Sequence, residues 1–115
     1  MRKKNFKGRC EKRTLSKCKE VCRTYDPIQY HYADMLQANE DITEIRCNVC
    51  LDGLSDGEYT TDFVCVRSNN DLMVRECVSR KFLTKPLTVK LLDMSRDYWL
   101  HHGVEDWGIV INDEE

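Results

Sequence analysis

The sequence feature that most constrains the fold is a Cys-x2-Cys pair, Cys47 and Cys50, in the stretch IRCNVCLDG. Two thiolates at this spacing are the usual first half of a tetrahedral zinc site, because the turn between them directs both sulfurs at one metal about 2.3 Å away. No second Cys-x2-Cys follows in the sequence. The remaining ligands of such a site must therefore come from cysteines or histidines with other spacings.

Length and cysteine content restrict the class of protein. A chain of 115 residues with 41% hydrophobic content suffices for one modest core, so we expect one domain with tails. Seven cysteines are an odd number, and the basic start is not followed by an apolar leader, which favours a reducing, intracellular compartment. Every apolar run is far shorter than the roughly 20 residues that span a bilayer, so no membrane partner is expected.

Charge is distributed unevenly along the chain. Residues 1–23 contain ten lysines and arginines and two glutamates, which gives this segment a net charge of +8. Because the whole chain has a net charge of −2, the other 92 residues carry −10. Such an arm can neutralise phosphates in nucleic acid. The candidates for these contacts are the first five basic residues: Arg2, Lys3, Lys4, Lys7 and Arg9. The alternative is a solvated basic extension that docks on the acidic body of this protein or of a partner.

Two helices are predicted before the cysteine pair. The first begins after Thr14, because five residues repeat at three-to-four spacing, namely Leu15, Cys18, Val21, Cys22 and Tyr25. On that helix Cys18 and Cys22 are packing residues, and the alternative is that they bind a metal with Cys10 as a third ligand.

The second helix should begin at Pro27, with Asp26 as N-cap and Gln29 completing a capping box, and should run to about Asn39. Its buried face is predicted to consist of Ile28, Tyr32, Met35 and Leu36.

Downstream of the cysteine pair the pattern changes to β-strands. Residues 59–66 and 71–76 are β-rich runs that predict a hairpin turning at Asn69 and Asn70. A short helix opened by Cys77 should follow, then a longer helix that ends at Gly103, and finally a strand in DWGIVIN. The predicted class is α+β, with a basic arm running into the first helix (1–23), a helical segment (24–44), a β-hairpin and helix domain (45–103), and a terminal strand with an acidic tail (104–115).

That order of elements resembles the RING and U-box group, and more narrowly the U-box/RING-like domain proteins of baculoviruses, over about residues 45–88. The segment Cys47–Cys50 matches the opening C-x-[I/V]-C, including the apolar Val49. The segment Val74–Cys77 lies where RING modules have H-x2-C, and Lys85–Thr88 lies where they have C-P-x-C. The resemblance therefore implies a small RING/U-box-like module with N-terminal helices and a C-terminal helix.

The departures from the RING pattern imply that the second RING metal is absent, because Val74, Lys85 and Thr88 replace its ligands. The first site lacks its fourth ligand at Arg80. Two hypotheses follow for the remaining thiols. Either one zinc ion is bound by four thiolates, or the domain is metal-free like a U-box and its cysteines only pack. The predicted ligands are Cys47, Cys50, Cys65 and Cys77, with His101 and His102 as a less favoured source.

Three functions are compatible with this resemblance, and no catalytic dyad is recognisable around any cysteine. The first is a viral protein-interaction module that acts in nucleocapsid assembly, in the host cytoplasm and nucleus, with viral structural proteins as partners. The second is an E3 ubiquitin ligase in which Val49, Phe82 and Pro86 contact a ubiquitin-conjugating enzyme. The third is nucleic-acid binding through the basic arm.

Overall fold

The computed structural model describes residues 11–51 and 59–112, and these form an α+β fold, which confirms the predicted class. In chain order the elements are β1 (Glu11–Arg13), β2 (Cys22–Thr24), α1 (Pro27–Ala38), β3 (Ile42–Cys50), β4 (Thr60–Arg67), β5 (Leu72–Cys77), a 3-10 turn (Arg80–Phe82), α2 (Pro86–His101) and β6 (Asp106–Val110).

The centre of the fold is a four-stranded sheet in the order β3-β4-β5-β6. The first three strands are antiparallel, whereas β6 pairs with β5 in parallel, with Cys77 opposite Val110. Residues 60–65 of β4 are all buried. A segment of strand that is buried at every position has both faces covered, and here one helix covers each face.

Each face of the sheet packs against one helix. Along β4, Phe63 and Cys65 belong to a first core with Ala33 and Leu36 of α1, whereas Val64 belongs to a second core with residues of α2. This alternation follows from the two-residue period of a strand. The second core consists of Leu51, Tyr59, Val64, Val74, Leu91, Trp99 and Val104.

The second predicted helix is confirmed as α1. Asp26 accepts a hydrogen bond from the backbone N–H of Gln29 at 2.8 Å, and Pro27 occupies the first turn. Leu36 is buried as predicted, but Met35 is 64% exposed. The prediction for Met35 is wrong because the face of α1 that contacts the sheet passes through Gln29, Ala33 and Leu36. Successive residues of a helix point about 100° apart, which turns residue 35 off this face.

The predicted hairpin, C-terminal helix and terminal strand are also confirmed, as β4 and β5, α2 and β6. Asn70 adopts a left-handed φ of 71° in the turn between the hairpin strands. Gly103 has a φ of 83° directly after the last turn of α2, a conformation that glycine adopts without strain.

The helix predicted over residues 15–25 is wrong. Residues 11–13 and 22–24 instead pair as the antiparallel strands β1 and β2, with Arg13 opposite Cys22. In β2 the side chains of Cys22 and Thr24 are buried and that of Arg23 is exposed, which is the two-residue period of a strand. A helix as short as the predicted one is marginal by itself, so tertiary contacts decide the conformation.

Two further local predictions need correction. Cys47 and Cys50 do not lie in a turn, because both belong to the nine-residue strand β3, where Asn48 adopts a φ of 55°. The short helix predicted from Cys77 is only the 3-10 turn Arg80–Phe82, since Cys77 is the last residue of β5.

Candidate metal centre

Three cysteines from separate parts of the fold converge at the N-terminal side of the sheet. Cys18 lies between β1 and β2, Cys22 begins β2, and Cys47 lies within β3. Their Sγ atoms are all within 4.8 Å of one another, and those of Cys22 and Cys47 are 3.1 Å apart. Tetrahedral zinc with sulfur at about 2.3 Å separates its thiolates by about 3.8 Å. We call Cys18, Cys22 and Cys47 the three-cysteine cluster.

Two hydrogen bonds, one donated by the backbone of β3 and one by the side-chain amide of Asn48, place the N-terminal segment on β3. The N–H of Ile45 donates to the carbonyl of Lys17 at 2.9 Å, two residues before Cys47. On the other side of Cys47, the amide of Asn48 donates to the carbonyl of Arg23 at 2.8 Å. These two bonds flank Cys47 and bring the segments of Cys18 and Cys22 against it.

Contacts with α1 hold the same segment from its other side. The guanidinium of Arg13 pairs with Asp34, donates to the carbonyl of Tyr30 at 3.0 Å, and lies 4.0 Å from the Tyr30 ring centroid. The ammonium of Lys17 donates to the carbonyl of Asn39 at 2.6 Å. Arg13 and Lys17 of the basic arm are therefore engaged with this protein's own helix.

The thiols of the cluster ionise unequally. Cys47 donates a hydrogen bond to Cys22, and this bond, opposed by burial and assisted by the positive charge of Arg13, lowers the pKa of Cys22 to about 7. Burial and the nearby Cys22 thiolate raise the pKa of Cys18 to about 11. Chiefly because it donates to Cys22, Cys47 has a pKa far above its ordinary value. Cys22 is therefore the thiol of the metal-free cluster that ionises most readily, and a divalent cation would offset the repulsion among three thiolates.

The structure brings only one of the four predicted zinc ligands, Cys47, into this cluster. Cys50 is exposed at the end of β3, whereas Cys65 and Cys77 are buried in the first core. Burial raises the pKa of Cys65 to about 12, so this thiol is neutral as a packing residue. The site built from all four stays a prediction.

His101 and His102 are both exposed and lie outside the three-cysteine cluster. Their Nδ1 atoms face the carbonyl oxygens of Asp97 and Tyr98, each at 2.7 Å, one turn earlier in the chain.

Sequence reasoning favoured packing for Cys18 and Cys22, which lie in the cluster. Two features of the sequence could have indicated the cluster. One is the Cys-x3-Cys spacing of Cys18 and Cys22, and the other is the placement of Arg23 between Cys22 and Thr24, an alternation that is typical of a strand. Cys10, named with them as a further ligand, lies outside the described residues.

The three residues predicted to contact a protein partner lie on different elements. Val49 is half-buried on β3 and packs against the second core. Phe82 is 41% exposed in the 3-10 turn, with the ammonium groups of Lys81 and Lys85 at 5.3 and 5.5 Å from its ring centroid. Pro86 is exposed at the start of α2.

The five residues proposed for nucleic-acid contacts, Arg2, Lys3, Lys4, Lys7 and Arg9, lie outside the described residues.

No protein-family model matches the chain, and no curated protein matches it. Neither α1 nor α2, the two helices in the described part of the chain, is long and apolar enough to cross a membrane.

Proposed function

We propose that this protein is a zinc-binding module for protein interaction, with Cys18, Cys22 and Cys47 as metal ligands. The observation that carries the proposal is the convergence of their three Sγ atoms within 4.8 Å of one another. Thiolate sulfur is a soft ligand that selects zinc, copper(I) or iron–sulfur clusters over magnesium or calcium. We propose zinc among these, because a zinc ion bound by three protein ligands accepts a further side chain or a solvent molecule as its fourth.

The role of the metal is to join segments of the chain. Its three ligands come from the β1–β2 connection, from β2 and from β3. One ion therefore holds the N-terminal strands on the edge strand of the main sheet, and binding free energy becomes folding free energy of that segment. Cys10 and a solvent molecule are the two candidates for the fourth ligand of a tetrahedral ion.

The interaction role is supported by the surface that follows β5. Phe82 and Leu87 are 41% and 46% exposed, and Lys81 and Lys85 flank the Phe82 ring. An aromatic side chain surrounded by cations suits an acidic protein surface with an apolar centre. A viral structural protein in a nucleocapsid is the partner that the RING/U-box resemblance implies, and a ubiquitin-conjugating enzyme is the alternative.

Zinc titration against a chromophoric chelator tests the metal assignment. Metal-free wild-type protein and the variants Cys18→Ser and Cys50→Ser are compared. Cys18→Ser should weaken zinc binding at least roughly 10-fold, because it removes one of three thiolates. Cys50→Ser is the matched control, since its exposed thiol lies outside the three-cysteine cluster. Equal affinity of both variants and the wild type would refute the assignment.

A ubiquitination assay separates the two partner classes. If the partner is a conjugating enzyme, the protein should build ubiquitin chains with some member of a broad enzyme panel, and Phe82→Ala should reduce the rate without changing the thermal unfolding temperature. No chains with any enzyme of the panel would exclude the ligase role and leave the structural partner.

A further inference from the structure

We propose that Cys22 and Cys47 form a reversible disulfide, so that the three-cysteine cluster is also a site of thiol oxidation. The inference uses the same residues as the proposed zinc site, but it does not require that zinc binds. It rests on the 3.1 Å separation of the two Sγ atoms and on the groove through which an oxidant reaches them.

The two sulfurs need little movement to bond. A disulfide has an S–S length of about 2.05 Å, so the Sγ atoms must approach by only about 1 Å. The strands that carry them are already joined by the bond from the Asn48 amide to the Arg23 carbonyl, at 2.8 Å. Because Cys22 and Cys47 lie on neighbouring segments in the reduced protein, oxidation does not require unfolding.

A surface groove of about 690 Å³ leads to the cluster. Cys18 and Cys47 line the groove, whereas Cys22 is 0% exposed and is not among the lining residues. The groove volume is within the range of small-molecule sites. Three basic side chains, Lys19, Arg23 and Arg46, and two acidic ones, Glu20 and Glu44, line the groove. Glu44 pairs with Arg46 at 2.6 Å and with Lys19 at 4.0 Å, so the lining carries charges of both signs. An organic disulfide of low molecular mass that itself carries both carboxylates and ammonium groups, such as oxidised glutathione, suits this lining and meets Cys47 before Cys22.

The reaction is a pair of thiol–disulfide exchanges. The Cys47 sulfur attacks one sulfur of the small disulfide while its proton passes to Cys22, with which it is hydrogen-bonded. The first glutathione thiolate leaves, and Cys47 is held in a mixed disulfide. The Cys22 sulfur then attacks Cys47 Sγ, and the second glutathione leaves with the proton from Cys22. Starting from one thiol and one thiolate, the protein loses two electrons and one proton overall. One oxidised glutathione becomes one thiol and one thiolate, and the thiolate takes its proton from solvent.

The test is disulfide mapping of metal-free, full-length protein incubated with oxidised glutathione. Remaining thiols are alkylated, and trypsin should release residues 20–23, which contain Cys22, linked to residues 47–67, which contain Cys47. Fragment spectra assign the linked cysteine within the second peptide. Cys50→Ser and Cys18→Ser should keep the link, and a thiol reductant should reverse it. A stable mixed disulfide on Cys47, or a link from Cys22 to any other cysteine, would overturn the proposal.

A zinc-loaded arm separates this inference from the proposed function. If both hold, prior loading with zinc should protect the pair and slow the loss of thiols at least 10-fold, because the metal occupies both sulfurs. A link that forms at the same rate in protein that retains no zinc supports the disulfide and overturns the zinc assignment. Zinc binding by the protein, together with no Cys22–Cys47 link in the metal-free form, supports the zinc assignment and overturns the disulfide.

Discussion

The Sγ atoms of Cys22 and Cys47 lie 3.1 Å apart although the residues are 25 positions apart in the sequence. They meet because the segment before α1 folds back as two short strands and docks on β3 through Lys17 and Asn48. The metal centre therefore depends on the contacts that hold this segment on β3, and substitutions of single residues can test these contacts.

Arg13→Ala should lower the affinity for zinc by roughly 10-fold, as loss of an outer-shell residue typically does. Arg13 pairs with Asp34 and supports the negative charge of Cys22. Lys12→Ala is the matched control, because Lys12 is exposed on the same strand. Chelator competition with both variants checks the prediction, and an equal effect of the two would show that only general positive charge matters.

In metal-free protein, Cys47→Ala should raise the pKa of Cys22 from about 7 towards its ordinary 9.0, because the thiol that donates to Cys22 is removed. A pKa lowered by folding means that the Cys22 thiolate stabilises the native state fully above pH 9 and loses this effect as the pH falls through about 7. The difference in ultraviolet thiolate absorbance between each protein and its Cys22→Ser counterpart reports the titration. An unchanged midpoint in Cys47→Ala would contradict the hydrogen bond.

Ser95→Ala should destabilise the fold by about 1–3 kcal/mol, since it removes the hydroxyl that joins the buried Glu76 carboxylate to the Trp107 indole. The Ser95 hydroxyl donates to the Glu76 carboxylate at 2.6 Å and accepts from the Trp107 indole at 3.0 Å, and both Ser95 and Glu76 are fully buried. Arg96→Ala, at an exposed position of the same helix, should change stability by no more than about 0.5 kcal/mol. Urea unfolding of the two variants measures the difference, and equal midpoints would exclude a stabilising role for this bond.

Asp26→Ala should cost about 1 kcal/mol, because the carboxylate that accepts from the N–H of Gln29 is lost from the start of α1. Asp26→Asn retains an acceptor oxygen and should recover most of the stability. The same denaturation assay compares the two. If Asn is as damaging as Ala, the negative charge rather than the cap hydrogen bond stabilises this helix end.

Elements marked by local chemistry were predictable from the sequence. Asp26 and Pro27 fix the start of α1, Asn69 and Asn70 mark the hairpin turn, and Gly103 marks the end of α2. Each of these signals acts through the backbone preferences of one or two residues, which tertiary packing here does not oppose.

The metal centre was not predictable in the same way, because its ligands are joined by non-local pairing. Cys18 and Cys22 fit a helical face by their spacing, but Cys22 lies in a strand that exists only through pairing with β1 and packing on β3. The Cys47–Cys50 spacing indicates a turn, yet β3 extends through both residues because it pairs with β4, which is buried over residues 60–65. Tertiary context overrides the local signal at both places.

The zinc content of purified Cys22→Ser and Cys65→Ser tests the central claim most directly. Both cysteines are fully buried, so the two substitutions are matched in burial and chemistry. The three-cysteine cluster predicts about one zinc per chain in the wild type and in Cys65→Ser, and a large loss in Cys22→Ser. Zinc retained by Cys22→Ser but lost from Cys65→Ser would contradict this account and support the site formed by Cys47, Cys50, Cys65 and Cys77.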